Sequence, residues 1–188
     1  MLAPSRWQIG KTIAFAAITC LLFASPILAE DPQSVFFERV GALCAARFEG
    51  QATFPEDPGD AFRGKLLVAV VETCGERVIR IPFHVGEDRS RTWILTRVEG
   101  GLELKHDHRH PDGTPDEVTM YGGTSSRPGT GLSQSFPADE QTAALIPEAR
   151  TNEWSLTLSE DGGELTYYLE RHGEPRFRAV LQRVESTE

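Results

Sequence analysis

The run Leu102-Glu103-Leu104-Lys105-His106-Asp107-His108-Arg109-His110 gathers the side chains best suited to chemistry in this chain. In a β-strand, residues two apart share a face. Leu102, Leu104, His106, His108 and His110 therefore form one row, with Glu103, Lys105, Asp107 and Arg109 opposite. A row that begins with leucines faces an interior, so the histidines are expected to continue that inner surface toward an open end. Imidazoles in line can bind a metal or meet an anionic or aromatic ligand. Strand geometry limits the metal option, because residues four apart stand roughly 13 Å apart. A single ion held at about 2.1 Å therefore takes His106 and His108 only, with a third ligand from Asp112, Asp116, Glu117 or Tyr121. The plainest alternative is that the three histidines solvate the end of a strand that outruns its sheet, which Pro111 directly after them favours.

Other chemistries find less support. Gly100, His106, His108 and Asp112 match the first half of a cupin pattern, but no histidine falls between His110 and His172 to complete it. Gly-x-Ser-x-Gly, His-Glu-x-x-His and a phosphate loop are all missing from the sequence, so a binder is expected rather than an enzyme. Arg89, Arg91, Arg97 and Arg109 could gather as an anion site. However, the chain carries 16 Arg and 3 Lys, so clusters of arginine are largely compositional. Trp93 and Trp154 read as core or floor aromatics. Any cavity would be walled by Ile79, Ile81, Phe83, Leu104, His106 and His108, with Trp93, His110 and Tyr121 as further ligand contacts.

These residues need a scaffold, and the sequence supplies a strand meander. Asp31-Pro32 is an N-cap followed by a first helical residue. Phe36, Val40, Leu43, Cys44 and Phe48 follow at helical spacing, with Gly50 as the expected stop. Residues 51–64 read as a loop. Strands are expected over 65–73, 77–85, 91–98, 102–110, 117–121, 132–136, 154–159, 164–171 and 176–184, and one or two helical turns over 139–149. Pro82 places its strand at an edge or a bulge, and the glycine-rich stretch 122–131 reads as a flexible loop. Short turns without crossover helices indicate an antiparallel all-β fold. A closed up-and-down barrel opened by one N-terminal helix is favoured over a two-sheet sandwich, since closure removes exposed edges.

Arg6 and Lys11, the apolar run Ile13–Phe23 and the small Ala29 form a secretory signal peptide pattern. The expected domains are thus a signal peptide over 1–29 and a single barrel over 30–188. After cleavage the chain carries no stable membrane anchor, and a periplasmic or secreted protein is expected. Cys44 and Cys74 are its two remaining cysteines, and in an oxidising compartment they are expected to pair as a disulfide. The net charge of −9 opposes nucleic-acid binding.

The helix-then-meander order resembles the calycin (lipocalin-like) barrels in architecture, although the lipocalin Gly-x-Trp signature near the first strand is missing. The runs Arg89-Ser90-Arg91-Thr92-Trp93 and His106-Asp107-His108-Arg109-His110, with Asp112-Gly113, Tyr121-Gly122-Gly123 and Phe136-Pro137-Ala138-Asp139, are similar to those of exported proteobacterial proteins of unassigned function. That likeness implies kinship and compartment, not a reaction. The expected function is monomeric binding of a small apolar or amphipathic ligand inside the barrel, without a cofactor. The alternatives are a divalent-metal enzyme using His106 and His108, and a packed interaction module.

Overall fold

Asp31 caps the first helix, its carboxylate accepting the Ser34 N–H at 3.0 Å, and α1 runs Pro32–Ala42. The computed structural model describes residues 30–57, 59–125 and 127–185, so the signal peptide expected at 1–29 lies outside the described residues. Phe36, Phe37 and Val40 are the buried apolar face of α1. The helix is shorter than its periodicity suggests. A left-handed Ala45 (φ 66°) turns the chain, and β1 (Arg47–Phe54) begins where the helix was expected to continue. Phe48 is interior in either conformation, so its spacing could not discriminate between them. Gly50 is a mid-strand residue rather than a stop: a Cβ there would lie 2.0 Å from the Val180 carbonyl oxygen of the neighbouring strand.

Ten further strands follow: β2 (Leu67–Val70), β3 (Thr73–Cys74), β4 (Val78–Val85), β5 (Asp88–Val98), β6 (Gly101–His108), β7 (Tyr121–Thr124), β8 (Ser133–Pro137), β9 (Asn152–Leu158), β10 (Glu164–Arg171) and β11 (Glu174–Val184). A short helix α2 (Glu140–Leu145) and a 3₁₀ turn (Pro147–Ala149) connect β8 to β9. All pairings are antiparallel, in the order β7-β6-β5-β4-β2-β1-β11-β10-β9-β8, with β3 an extra partner of β4. The first and last strands pair with each other, so the meander curls into a nearly closed up-and-down barrel, and the sandwich alternative falls away. The remaining seam, between β7 and β8, is bridged by Gly123 and Ala138 and by the Asp139 N–H donating to the Gly122 carbonyl at 3.1 Å.

Two local expectations are corrected at the sheet. Gly122 and Gly123 belong to β7 rather than to a loop, because only residues without Cβ allow β6 to approach Gly122, and β8 to approach Gly123, so closely. A Cβ on Gly123 would sit 1.7 Å from the Pro137 carbonyl oxygen. Pro82 lies in an interior strand, opposite Thr92 of β5. On its other side β2 pairs only up to Phe83, and β3 starts at Arg80. The missing N–H therefore falls in a gap between two partners.

Alternation in β4 sends Ile79, Ile81, Phe83 and Val85 into the core, with Arg80, Pro82 and His84 outside. This apolar-in, polar-out order is the reverse of a transmembrane barrel. Among the described residues no helix is long and apolar enough to cross a membrane. α1 covers the end of the barrel where β6 begins: Gln33 lies against Gly101, and the Arg97 guanidinium donates to Ser34 Oγ at 3.1 Å. Cys44 and Cys74 form a disulfide with a Cα separation of 6.0 Å. It ties the turn after α1 to β3, and on loop-closure entropy it contributes about 3–4 kcal/mol.

Candidate functional site

β6 carries the row that sequence alternation predicts. Leu102, Leu104 and His106 point into the barrel, with His106 only 3% exposed, while His108 is half-buried at the open end. The row stops there. β6 ends at His108, and the chain turns so that His110 is exposed in the 109–115 turn, its N–H bonded to the Thr114 carbonyl. Lys105 and Asp107 are on the outer face, as expected, yet both are buried. Lys105 Nζ reaches Asp139 Oδ2 beside α2 at 2.5 Å. Asp107 accepts from Arg80 (3.2 Å), Arg109 (2.9 Å) and Thr119 (3.3 Å). The excursion 109–120 and α2 thus cover the back of β6 and hold it rigidly behind the histidines.

Cross-strand register builds the site in layers. Trp93 of β5 stands opposite His106, and His106 stands opposite Tyr121 of β7. Two residue pairs further toward the open end, Arg91 pairs with His108. Deeper in the barrel, Ile79, Leu95 and Leu104 face Gly123 across successive strands and are fully buried. From the far side come Trp154, Tyr167 and Phe177. Phe83, Trp93 and Tyr167 stack in series at 4.3 and 4.6 Å, and Tyr121 lies nearly parallel to His106 at 4.7 Å.

These rings surround a cavity of about 310 Å³ at the end of the barrel away from α1. Trp93, His106, His108, Tyr121 and Phe83 line it. Ile79, Ile81 and Leu104 do not: they belong to the packed layers beneath, so the cavity is confined to one mouth. His110 is not part of the lining either. Of the four arginines considered, only Arg91 reaches it. Arg97 lies over the Phe37 ring at the α1 end, Arg109 holds Asp107 from outside, and Arg89 binds the Gly86 carbonyl in a turn. Trp154, Tyr167, Leu169, Arg171, Arg176 and Phe177 also line it, with Asn152 and Asp60, and sequence reasoning did not single them out as ligand contacts. The alternation Tyr167-x-Leu169-x-Arg171 in β10 carried a signal for three inward residues.

Hydrogen bonds fix the protonation of the buried imidazole. His106 Nδ1 is 3.1 Å from the Tyr121 carbonyl, which can only accept, so Nδ1 carries the proton. Nε2 then accepts from the Tyr167 hydroxyl at 2.8 Å. Burial pushes the His106 pKa down to about 3, so the ring is neutral over the physiological range. Burial, then the Arg91 charge, lowers His108 as well, and its Nε2 is 3.0 Å from the Tyr121 hydroxyl. Burial raises Tyr121 to about 12 and raises Tyr167 too. His106, His108, Tyr121 and Tyr167 therefore present neutral rings to the cavity, tied together by the His106–Tyr167 and His108–Tyr121 hydrogen bonds.

A comparison with protein-family models finds no match, and a comparison with curated proteins finds none either. The site is therefore read from its own chemistry. Both ring nitrogens of His106 are engaged, so a metal ion there would have to displace Tyr167 or the Tyr121 carbonyl. Among the described residues no three His, Cys, Asp or Glu side chains converge as a metal-holding group. Asp112, Asp116 and Glu117, the acids considered as third ligands, lie on the covering excursion and outside the cavity lining, with Asp112 and Asp116 accepting backbone N–H groups of their own turns. The Tyr121 hydroxyl, the other group considered as a third ligand, is within hydrogen-bond distance of His108 Nε2 at 3.0 Å.

Proposed function

We propose that the protein is an exported, non-enzymatic barrel that binds a small amphipathic molecule in the cavity at the His106 end. One observation carries this reading: Trp93, Tyr121, Trp154, Tyr167 and His106 turn their rings toward an open space of about 310 Å³ instead of filling it. Small-molecule sites are concave, predominantly apolar or aromatic, and begin near this size. The layers around Leu95 and Leu104 are closed, which supports a rigid floor under a binding mouth rather than an interior packed throughout. The mutual satisfaction of His106, Tyr167 and the Tyr121 carbonyl favours binding over metal-dependent catalysis.

Supporting the compartment are the Cys44–Cys74 bridge, typical of oxidising surroundings, and the signal pattern of the first 29 residues. On this reading the protein acts in the periplasm or outside the cell, as a monomer. The barrel closure and the helix-first order support kinship with calycin barrels. N-phenyl-1-naphthylamine, a neutral fluorophore that brightens in apolar cavities, tests the reading. Saturable enhancement is expected with the native chain and its weakening with Leu169→Trp, which puts an indole into the cavity without changing charge. No saturable enhancement, or enhancement unchanged in a folded Leu169→Trp variant, would contradict it.

A further inference from the structure

The cavity has a charged rim as well as an aromatic floor. Arg91, Arg171 and Arg176 line it beside a single carboxylate, Asp60, on a chain whose net charge is −9. Local positive charge in an acidic molecule calls for a local cause. Arg91 is already paired with Asp88, but among the described residues neither Arg171 nor Arg176 forms an ion pair.

The two guanidinium groups reach the mouth by different devices. Arg171 continues the inward row of Tyr167 and Leu169 in β10. Its Nε donates to Asn152 Oδ1 at 2.8 Å, and Asn152 is 5% exposed, so a buried amide fixes the guanidinium plane. The four N–H bonds on its two terminal nitrogens remain for a ligand. Arg176 arrives through a bulge. Leu169 pairs with Phe177 and Glu170 with Pro175, leaving Arg176 as the extra residue of β11. Strict alternation puts a neighbour of the inward Phe177 outside. A bulge re-aims such a side chain, and Arg176 lines the cavity together with Phe177.

We propose that Arg171 and Arg176 bind the small oxyanion head, such as a carboxylate or sulfonate, of a ligand whose aromatic body lies on the Trp93–Tyr167 stack. This rests on the cavity reading and adds the chemical class of what enters it. Planar guanidinium groups match oxyanions through paired N–H donors, and holding Arg171 in advance reduces the ordering cost of binding.

The test uses two probes that differ by one group: N-phenyl-1-naphthylamine and its sulfonated counterpart, 8-anilinonaphthalene-1-sulfonate. The native protein should bind the sulfonate at least about tenfold more tightly, with an affinity that falls as salt rises. The exposed Arg176→Gln should remove part of that preference, and Arg171→Gln/Arg176→Gln all of it, while binding of the neutral probe persists and reports an intact fold. Equal affinities in the native protein, or a sulfonate preference that survives the double variant, would overturn the anion assignment and leave the cavity standing. Binding of neither probe would overturn both.

Discussion

His106 is where the strand alternation and the chemistry meet. Its row was legible because Leu102 and Leu104 set the inward phase, and alternation carries that phase forward for as long as the strand lasts. It could not reveal that β6 ends at His108, since the turn around Asp112-Gly113 captures His110 through backbone bonding. Nor could it reveal Arg176, whose direction is set by a bulge with no fixed sequence signature. The neutral His106 has a thermodynamic consequence. Its pKa is depressed from 6.5 to about 3, so the unfolded chain binds this proton more readily. Stability is then full above 6.5 and declines as pH falls toward 3, by up to about 1.4 kcal/mol per pH unit. His84 and His108, both lowered chiefly by burial, add to the same slope. Asp139, held low despite burial by Lys105 and Thr142, acts only below its ordinary 3.8. Denaturant unfolding between pH 6.5 and 3.8 should therefore show a shallower slope for His106→Gln than for the native chain. Equal slopes would mean that the ring is not the buried neutral group described.

The barrel elements answer to two kinds of signal, and only one is visible along the chain. Apolar alternation located β4, β9, β10 and β11 closely, because each has one face in the core. The helix boundary at Ala42 was missed because a left-handed Ala45 turns the chain there, and the short β7 because close backbone approach decides it, not side-chain pattern. Gly122-Gly123 reads as a flexible loop in sequence, yet it is where the sheet ends meet. Gly123→Ala brings a methyl group against the Pro137 carbonyl, 1.7 Å from the ideal Cβ position, with the Pro137 carbonyl carbon at 2.7 Å. Both are backbone atoms, so the seam must open rather than a side chain rotate. A loss of about 3 kcal/mol is expected, at the upper end of typical overpacking costs, and is measured as a lowered denaturation midpoint. An unchanged midpoint would show that β7 and β8 are not held together there.

At the scale of the whole molecule, one end of the barrel is sealed and the other is open. α1 and the apolar layers around Ile79, Leu95 and Leu104 close the first, while aromatic rings and arginines frame the second. Overall architecture was the most legible feature, because short turns without crossover helices leave few ways to satisfy strand edges. Cavity size was the least legible, since it depends on how ten strands are staggered. The five histidines report on the outcome together. His106 and His108 line the mouth, His110 and His172 are exposed and outside its lining, and His84 faces outward. The most direct measurement is the imidazole nitrogen–proton NMR spectrum of the native protein titrated with N-phenyl-1-naphthylamine. The His106 and His108 resonances should shift saturably while His84, His110 and His172 stay in place. Shifts confined to the latter three, or no shift at all, would contradict a binding site inside the barrel mouth.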